Sequence, residues 1–437
     1  MGNDPNPNEA FGRRSSHGES GWRLVALCCA AYFMSYLTRK SYDASIPAII
    51  EDTGLARTAA SVASTAAVVI YGSGQFVTGI LADRLDPRKM VFAALLLTAA
   101  CNAAMPAVVG CVPAMGALWA VNGFAQAMFW PPLVKIVASN LPADRFKGAV
   151  FWISVSCNVA IVVVFLLVSG CVRFAGWRAS FAVVTALALA AAAVWRALIG
   201  GAAPASRPEG PRSGGAAAGP APSAAGLPLG KLLAAAGLFP IMAVIVCHGV
   251  IRDGIEVWAS SIIKDSYGLG TSGAIFSVAL LPVFAVASMS VARGIRRHLG
   301  DEVKASLVLF GSALFCATFL FATNGATFAF GLPALAVLSA SMHGANLLLI
   351  GELPGRFARH GRVGTVSGLL NAFTYVGAAV AIYGFAAIRD FLDKGWRPVF
   401  ALWIGVLALG IVLLAAALRL WKRFLAGEEP ETRQESI

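Results

Sequence analysis

Two arginines lie inside long apolar stretches, Arg39 following Val25–Leu37 and Arg252 within Val244–Trp258. A guanidinium in a bilayer core costs at least about 2.5 kcal/mol, so one retained there is expected to face a cavity and have a use. Arg39 lies 16 residues beyond Arg23, which is deep along a helix that rises about 1.5 Å per residue. Alone, it admits another reading, in which the helix ends near Thr38 and Arg39 and Lys40 reach to the far surface. Arg252 lies about twenty residues beyond Lys231 and at the matching depth of a second, related half. Two guanidinium forks facing each other across a pseudo-twofold axis suit an anion with several coplanar oxygens, because each fork donates two parallel hydrogen bonds. Phosphate, phosphonate and carboxylate all qualify, and spacing does not choose among them.

His248, Arg252 and Glu256 are spaced four apart and share one helix face. Glu256 is therefore expected to neutralise Arg252 in the empty protein; the sharper alternative makes it a displaced counter-ion or, with His248, a proton carrier. His343 reads as polar packing or as a substrate contact. Asp43 and Glu352 are expected near helix ends, as solvated charges.

The elements that must hold these residues are transmembrane helices. Of 437 residues, 58% are hydrophobic and 13% charged, too apolar for a soluble domain of this length. Apolar runs long enough to span about 30 Å of hydrocarbon recur along the chain, rich in Ala, Leu and Val rather than alternating. Twelve helices are expected, from 22–48 to 397–424. The domain reading is an N-terminal tail 1–21, a six-helix bundle 22–200, a flexible linker 201–230 of Ala, Gly, Pro and Ser, a second bundle 231–424 and a tail 425–437. Gly176-Trp177-Arg178 before the sixth helix returns as Gly395-Trp396-Arg397 before the twelfth, about half the chain away. A duplicated six-helix unit places a binding site where the halves meet near the midplane.

The net charge of +12 is topological. Basic residues gather in alternate loops, which the positive-inside rule assigns to the cytoplasm together with both termini. Nucleic acid is thus not an expected partner. Eight scattered cysteines show no metal or disulfide spacing, and no metal or cofactor is expected. A nucleophile elbow, a metal-binding helix pair and a nucleotide loop are all missing, so an enzyme is not expected. A polar stretch precedes the first apolar run, which leads straight into a spanning helix and so reads as no cleavable signal. No long polar domain calls for a partner chain, and a monomer is expected.

The loop after the second helix reads Gly79-Ile-Leu-Ala-Asp83-Arg84-Leu-Asp86-Pro87-Arg88-Lys89. Gly79 allows close helix approach, and Asp83 can cap a neighbouring helix and pair with Arg84 or Arg88, forming a latch that breaks as the halves rock. The loop resembles the signature of the major facilitator superfamily, which implies that fold: an all-α membrane protein of twelve transmembrane helices in two pseudo-symmetric six-helix bundles. The second-half counterpart, Gly294-Ile-Arg296-Arg297-His298, lacks the aspartate, so a matching second latch is not expected.

Within that superfamily, Tyr36-Leu-Thr-Arg39-Lys40-Ser-Tyr42 is similar to the first-helix motif of the organophosphate:phosphate antiporters, the family of glycerol-3-phosphate and hexose-phosphate transporters and their sensor relatives. Tyr71-Gly72-Ser-Gly-Gln75-Phe76, Trp130-Pro131-Pro132, Arg252-Asp-Gly254-Ile255-Glu-Val-Trp258 and Phe373-Thr-Tyr375-Val-Gly377 are similar to it at the same places. The resemblance implies that Arg39 and Arg252 grip a phosphoryl group while Tyr32, Tyr36, Tyr71, Trp130 and Tyr375 shape the pocket. Departures fall elsewhere. Gln75 stands where lysine is common, Cys157 and Asn158 where a histidine-bearing motif is usual, His248 before the helix-seven arginine where a tyrosine is usual, and His343 in helix ten where another tyrosine is expected.

The function implied is exchange of an organic phosphate for inorganic phosphate in a bacterial inner membrane. An empty site with two unpaired cations would reorient poorly, which would enforce exchange. The alternatives are proton-coupled transport of a carboxylate or phosphonate, and a transporter-like sugar-phosphate sensor.

Overall fold

A chain solvated by lipid must satisfy its backbone polar groups within each segment, and this one is helical almost throughout. The computed structural model describes residues 7–202, 229–323, 327–360, 362–392 and 394–426, with side chains from Gly21 onward except those of Phe76, Asp83, Ala143, Asp144, Lys147, Ala202, Leu229, Ala358 and Arg359. Most of the expected linker, and the outermost ends of both tails, lie outside the described residues.

The first half contains α1 Pro7–Thr53, α2 Arg57–Arg84, α3 Pro87–Val108, α4 Val112–Ala127, α5 Trp130–Asn140, α6 Ala143–Phe174 and α7 Trp177–Ala202. The second contains α8 Leu229–Ala235, α9 Leu238–Tyr267, α10 Thr271–Val278, α11 Leu280–Leu299, α12 Glu302–Thr323, α13 Phe328–Asn346, α14 Val363–Leu392 and α15 Arg397–Ala426. A π-helical turn Leu347–Glu352 and a 3-10 turn Leu353–His360 prolong α13. With α4 and α5 forming one crossing, α10 and α11 another, and α8 leading into α9, the elements make twelve crossings.

Among the described residues, nine of these spans are long and apolar enough to cross a bilayer. The other three are α1 with Arg39, Lys40 and Asp43, α2 with its Ser, Thr and Gly, and the divided fourth crossing. That crossing breaks at Met128–Phe129 because Pro131 and Pro132 cannot continue a helix but fit the first turn of a new one. Helix α1 passes through Pro47 to Thr53, so it does not end near Thr38, and Arg39 lies well inside the span.

The repeat survives in the backbone and in its packing. Gly54, Gly176, Gly268 and Gly395 all have positive φ, at 68°, 81°, 63° and 64°. Each closes a helix or opens the turn before the next, in a conformation that glycine adopts without strain. The indole of Trp177 donates to Asp52 at the end of α1 (3.0 Å), and that of Trp396 donates to Asp265 at the end of α9 (3.0 Å). In the two halves α1 packs on α6 as α9 packs on α14, α3 on α7 as α12 on α15, and α2 on α4 as α11 on α13. Small residues permit the closest approaches: a Cβ on Gly377 would collide with the Val246 carbonyl, and one on Gly123 with that of Ala67.

The halves meet along α2 against α14, α6 against α10 and α11, and α1 against α9. At the face opposite the termini they are tied by Arg57 to Asp265 (2.7 Å), by Lys264 to Glu51 (2.9 Å), by Thr271 to Glu51 and by Ser169 to Ser272 (3.0 Å). Ion pairs described at the terminal face remain within one half: Arg88 with Asp86, Arg296 and Arg356 with Glu302, and Arg293 with Glu352. The cross-ties thus favour a molecule closed on the far side.

Candidate functional site

Arg39 projects from the middle of α1 into an aromatic cage. Its guanidinium carbon stands 4.1 Å from the Tyr71 ring centre and 5.8 Å from that of Tyr36, within cation–π range. Tyr32 packs edge-on to Tyr36 (5.3 Å) and against Trp130 (5.2 Å), which the α4–α5 break has turned inward. From the other half, Tyr375 on α14 meets Tyr71 at 5.3 Å, and Gly72 lets α2 approach that ring. Gln75 donates to the Tyr71 hydroxyl (2.6 Å), and the thiol of Cys157 neighbours Tyr36.

Behind Arg39 a buried polar cluster ties α1 to α3 and α4. Asn102 donates to the Thr38 carbonyl (3.0 Å) and accepts from Ser41 (2.6 Å), while Gln126 donates to the Thr38 hydroxyl (3.0 Å). Buried groups satisfied this way fix one helix register, so the cluster sets where Arg39 points.

Arg252 enters from α9. It donates to Asn346 (2.8 Å) and to both oxygens of Asp253 (2.9 Å each). Asp253, rather than Glu256, is therefore its carboxylate. Glu256 instead reaches across to Lys40 of the other half (2.9 Å) and lies 3.4 Å from His343 of its own half. Lys40 is 9% exposed and also lies 3.3 Å from Asp43, which accepts from Ser64 (2.6 Å). Both Arg39 and Arg252 lie within electrostatic range of Tyr375 and Glu256, which marks them as facing one region from opposite halves. Arg39, Lys40 and Arg252 balance Asp43, Asp253 and Glu256 charge for charge. Among the described side chains, Arg39 is the cation of this group without a carboxylate partner.

A cavity of about 30 Å³ adjoins this cluster, one turn from the arginines toward the far face. Its lining mixes polar residues, Lys40, Asn158, Glu256, Ser339 and His343, with apolar ones such as Ile161, Phe165, Leu281 and Pro282.

Several expectations need correction. Asp43 is not a solvated helix-end charge but is buried beside Lys40, whereas Glu352 does end its helical turn and is partly exposed there, paired with Arg293 and Arg296. His248 shares the face of Arg252, but packs into α13 with Nε2 3.0 Å from the Met342 carbonyl and is 1% exposed, so it does not line the cavity. The two central arginines are not both unpaired, because Asp253 holds Arg252. Sequence motifs do not single out Lys40, Asp253, Asn346 or the Thr38 cluster as site residues. Lys40 and Asp253 are legible only as the chain neighbours of Arg39 and Arg252, and the partners of Asn346 and the Thr38 cluster lie on distant helices.

In the loop after α2, Asp86 caps α3 by accepting from the Arg88 backbone (2.9 Å) and pairs with the Arg88 side chain (2.9 Å). That neighbour holds the Asp86 carboxyl below the usual carboxylate range. Lys135 donates to the Ala82 carbonyl (2.6 Å), joining α5 to the end of α2. Gly79 has open space around its Cα, Arg84 is exposed, and the Asp83 side chain lies outside the described residues. In the second half Arg296 and Arg356 converge on Glu302 (3.2 and 2.9 Å), so a charge cluster stands there despite the missing aspartate.

The Major Facilitator Superfamily model matches residues 28–382. The chain is 27% identical over 148 residues to a probable hexose phosphate transport protein of Chlamydia muridarum (strain MoPn / Nigg), covering 34% of this chain and 32% of that one. It is 29% identical over 151 residues to a glycerol-3-phosphate transporter of Bacillus subtilis (strain 168), covering 33% and 34%. The matches thus span about a third of the length of these curated relatives. A bacterial homologue of the human lysosomal transporter Spinster, solved in an inward-facing and occupied conformation, superposes with a TM-score of 0.68 at 13% identity over 92% of this chain and 96% of that one.

Proposed function

Because the chain belongs to the Major Facilitator Superfamily, we propose that it carries an organic phosphate across a membrane, held between Arg39 and Arg252, and exchanges it for inorganic phosphate by alternating access. The observation that carries this reading is Arg39: a guanidinium inside a transmembrane helix, stacked on tyrosine, without a carboxylate among the described side chains and on the seam between halves. The solutes for which the relatives are named, hexose phosphate and glycerol-3-phosphate, have a phosphoryl group in common, and a pair of guanidinium forks can grip that group.

The physical cycle follows from the contacts. A solute enters from the terminal face and meets Arg39 and its tyrosine cage. Bridging to Arg252 brings donors from both halves onto one group and favours the state in which the halves close around it. Closure strains the far-side ties, Arg57 with Asp265 and Lys264 with Glu51, and their opening releases the solute outward. By the positive-inside rule the terminal face is cytoplasmic, in an inner membrane. Coupling to exchange comes from Arg39, whose buried charge is costly to carry through reorientation with nothing bound.

The test is counterflow. Proteoliposomes loaded with inorganic phosphate are challenged with labelled glycerol, hexose and three-carbon phosphates. Uptake of at least one ester, falling at least about tenfold when internal phosphate is left out, is the expected result. Uptake of none of them overturns the phosphoryl reading. Equal uptake into phosphate-free vesicles, driven by an imposed pH gradient, replaces exchange with proton coupling.

A further inference from the structure

We propose that the solute is a short zwitterion, with its anionic phosphoryl group on Arg39 and Arg252 and an ammonium group about two or three carbons away on Glu256. This rests on the reading that the arginines hold a phosphoryl group.

Charge is the first ground. Arg39, Lys40 and Arg252 are matched by Asp43, Asp253 and Glu256, so the site as built has no surplus positive charge to offset a dianion. An ester that brings its own cation reduces the imbalance. One with only hydroxyls does not.

Placement is the second. Glu256 lies one helical turn beyond Arg252, about 6 Å along α9, and lines the cavity toward the far face. A solute whose phosphoryl end stops at the arginines extends its other end into that space. At about 30 Å³ the space gives a short chain room to extend beyond the arginines. Its apolar lining residues, Ile161, Phe165, Leu281 and Pro282, accept the methylenes of such a chain.

A replaceable cation is the third. Glu256 is held by Lys40, and Lys40 has a second carboxylate, Asp43, already at 3.3 Å. An incoming ammonium can take the place of Lys40 on Glu256 while Lys40 turns fully to Asp43. No carboxylate is left bare by the exchange, and the tie between α1 and α9 passes through the solute instead of through Lys40. His343 stays at 3.4 Å as the second neighbour of Glu256.

The experiment measures exchange of labelled inorganic phosphate in phosphate-loaded proteoliposomes, with unlabelled 2-aminoethyl phosphate, 2-hydroxyethyl phosphate and propyl phosphate as competitors. The amine is expected to compete at a concentration at least about tenfold lower than either neutral analogue, the scale of one charged hydrogen bond. Glu256→Gln is expected to bring the three within about threefold of one another. The wild-type ratio needs no substitution, so it decides even if the variant does not assemble. Phosphate exchange without preference for the amine, or a preference unchanged in Glu256→Gln, overturns the zwitterion and leaves the phosphoryl reading standing. Absence of any phosphate exchange or ester competition overturns both.

Discussion

Arg39→Ala is expected to lower phosphate exchange by at least about a hundredfold, because it removes the cation of the site that forms no ion pair with a described carboxylate and tips the balanced cluster to net negative. The methyl side chain leaves the tyrosine cage hollow and takes away both donors of the fork. Arg39→Lys is expected to restore less than about a tenth of the activity. An ammonium keeps the charge, but cannot lie flat against the Tyr71 ring, 4.1 Å away, while donating two parallel hydrogen bonds. Arg252→Ala is expected to be no milder, since it also leaves the Asp253 carboxylate without its cation beside the anion. Wild-type exchange in Arg39→Ala, measured in proteoliposomes with confirmed incorporation, would remove Arg39 from the site.

The second large effect is on assembly. Lys40 stands between Asp43 at 3.3 Å and Glu256 at 2.9 Å, with 9% of its side chain exposed. Lys40→Met leaves buried Asp43 and half-buried Glu256 without their cation, and removing one partner of a buried ion pair costs about 3–5 kcal/mol. Thermal unfolding in detergent should show a midpoint lowered by at least about 5 °C. Lys40→Met combined with Glu256→Gln should recover a good share of that loss, because Asp43 still accepts from Ser64 and the charge on Glu256 is gone. A midpoint within about a degree of wild type in Lys40→Met would mean that solvent, rather than Lys40, balances the carboxylates.

The span pattern, the repeated Gly-Trp-Arg turns and the depth of Arg39 are legible in the sequence because each rests on local information. Hydropathy runs, glycine at a turn, and counting at about 1.5 Å per residue need no partner. The wiring of the site is not legible in this way. Helical spacing pairs Arg252 with Glu256, four residues on, and that is a fair rule on an isolated helix. In the assembled protein Lys40, more than two hundred residues earlier in the chain, takes Glu256, so Arg252 turns to adjacent Asp253 and to Asn346. The same limit hides the buried cluster around Thr38, whose members Asn102, Asn122 and Gln126 come from two other helices and read singly as stray polar residues. It also hides the second-half charge cluster, where Glu302 and Glu352 supply the acids missing from the local motif. Departures at Gln75, Cys157 and His343 are visible as residue types, while their contacts become visible only with the fold: Tyr71, Tyr36 and Glu256 respectively.

Whether the two halves hold one anion together is read most directly from phosphate binding to Arg39→Lys, Arg252→Lys and the double variant. Two forks on a shared phosphoryl group act as one unit, so once the first is lost the second has little left to contribute. Sharing predicts that the double variant binds no more than about threefold more weakly than the worse single one. A loss equal to the product of the two single losses would contradict it.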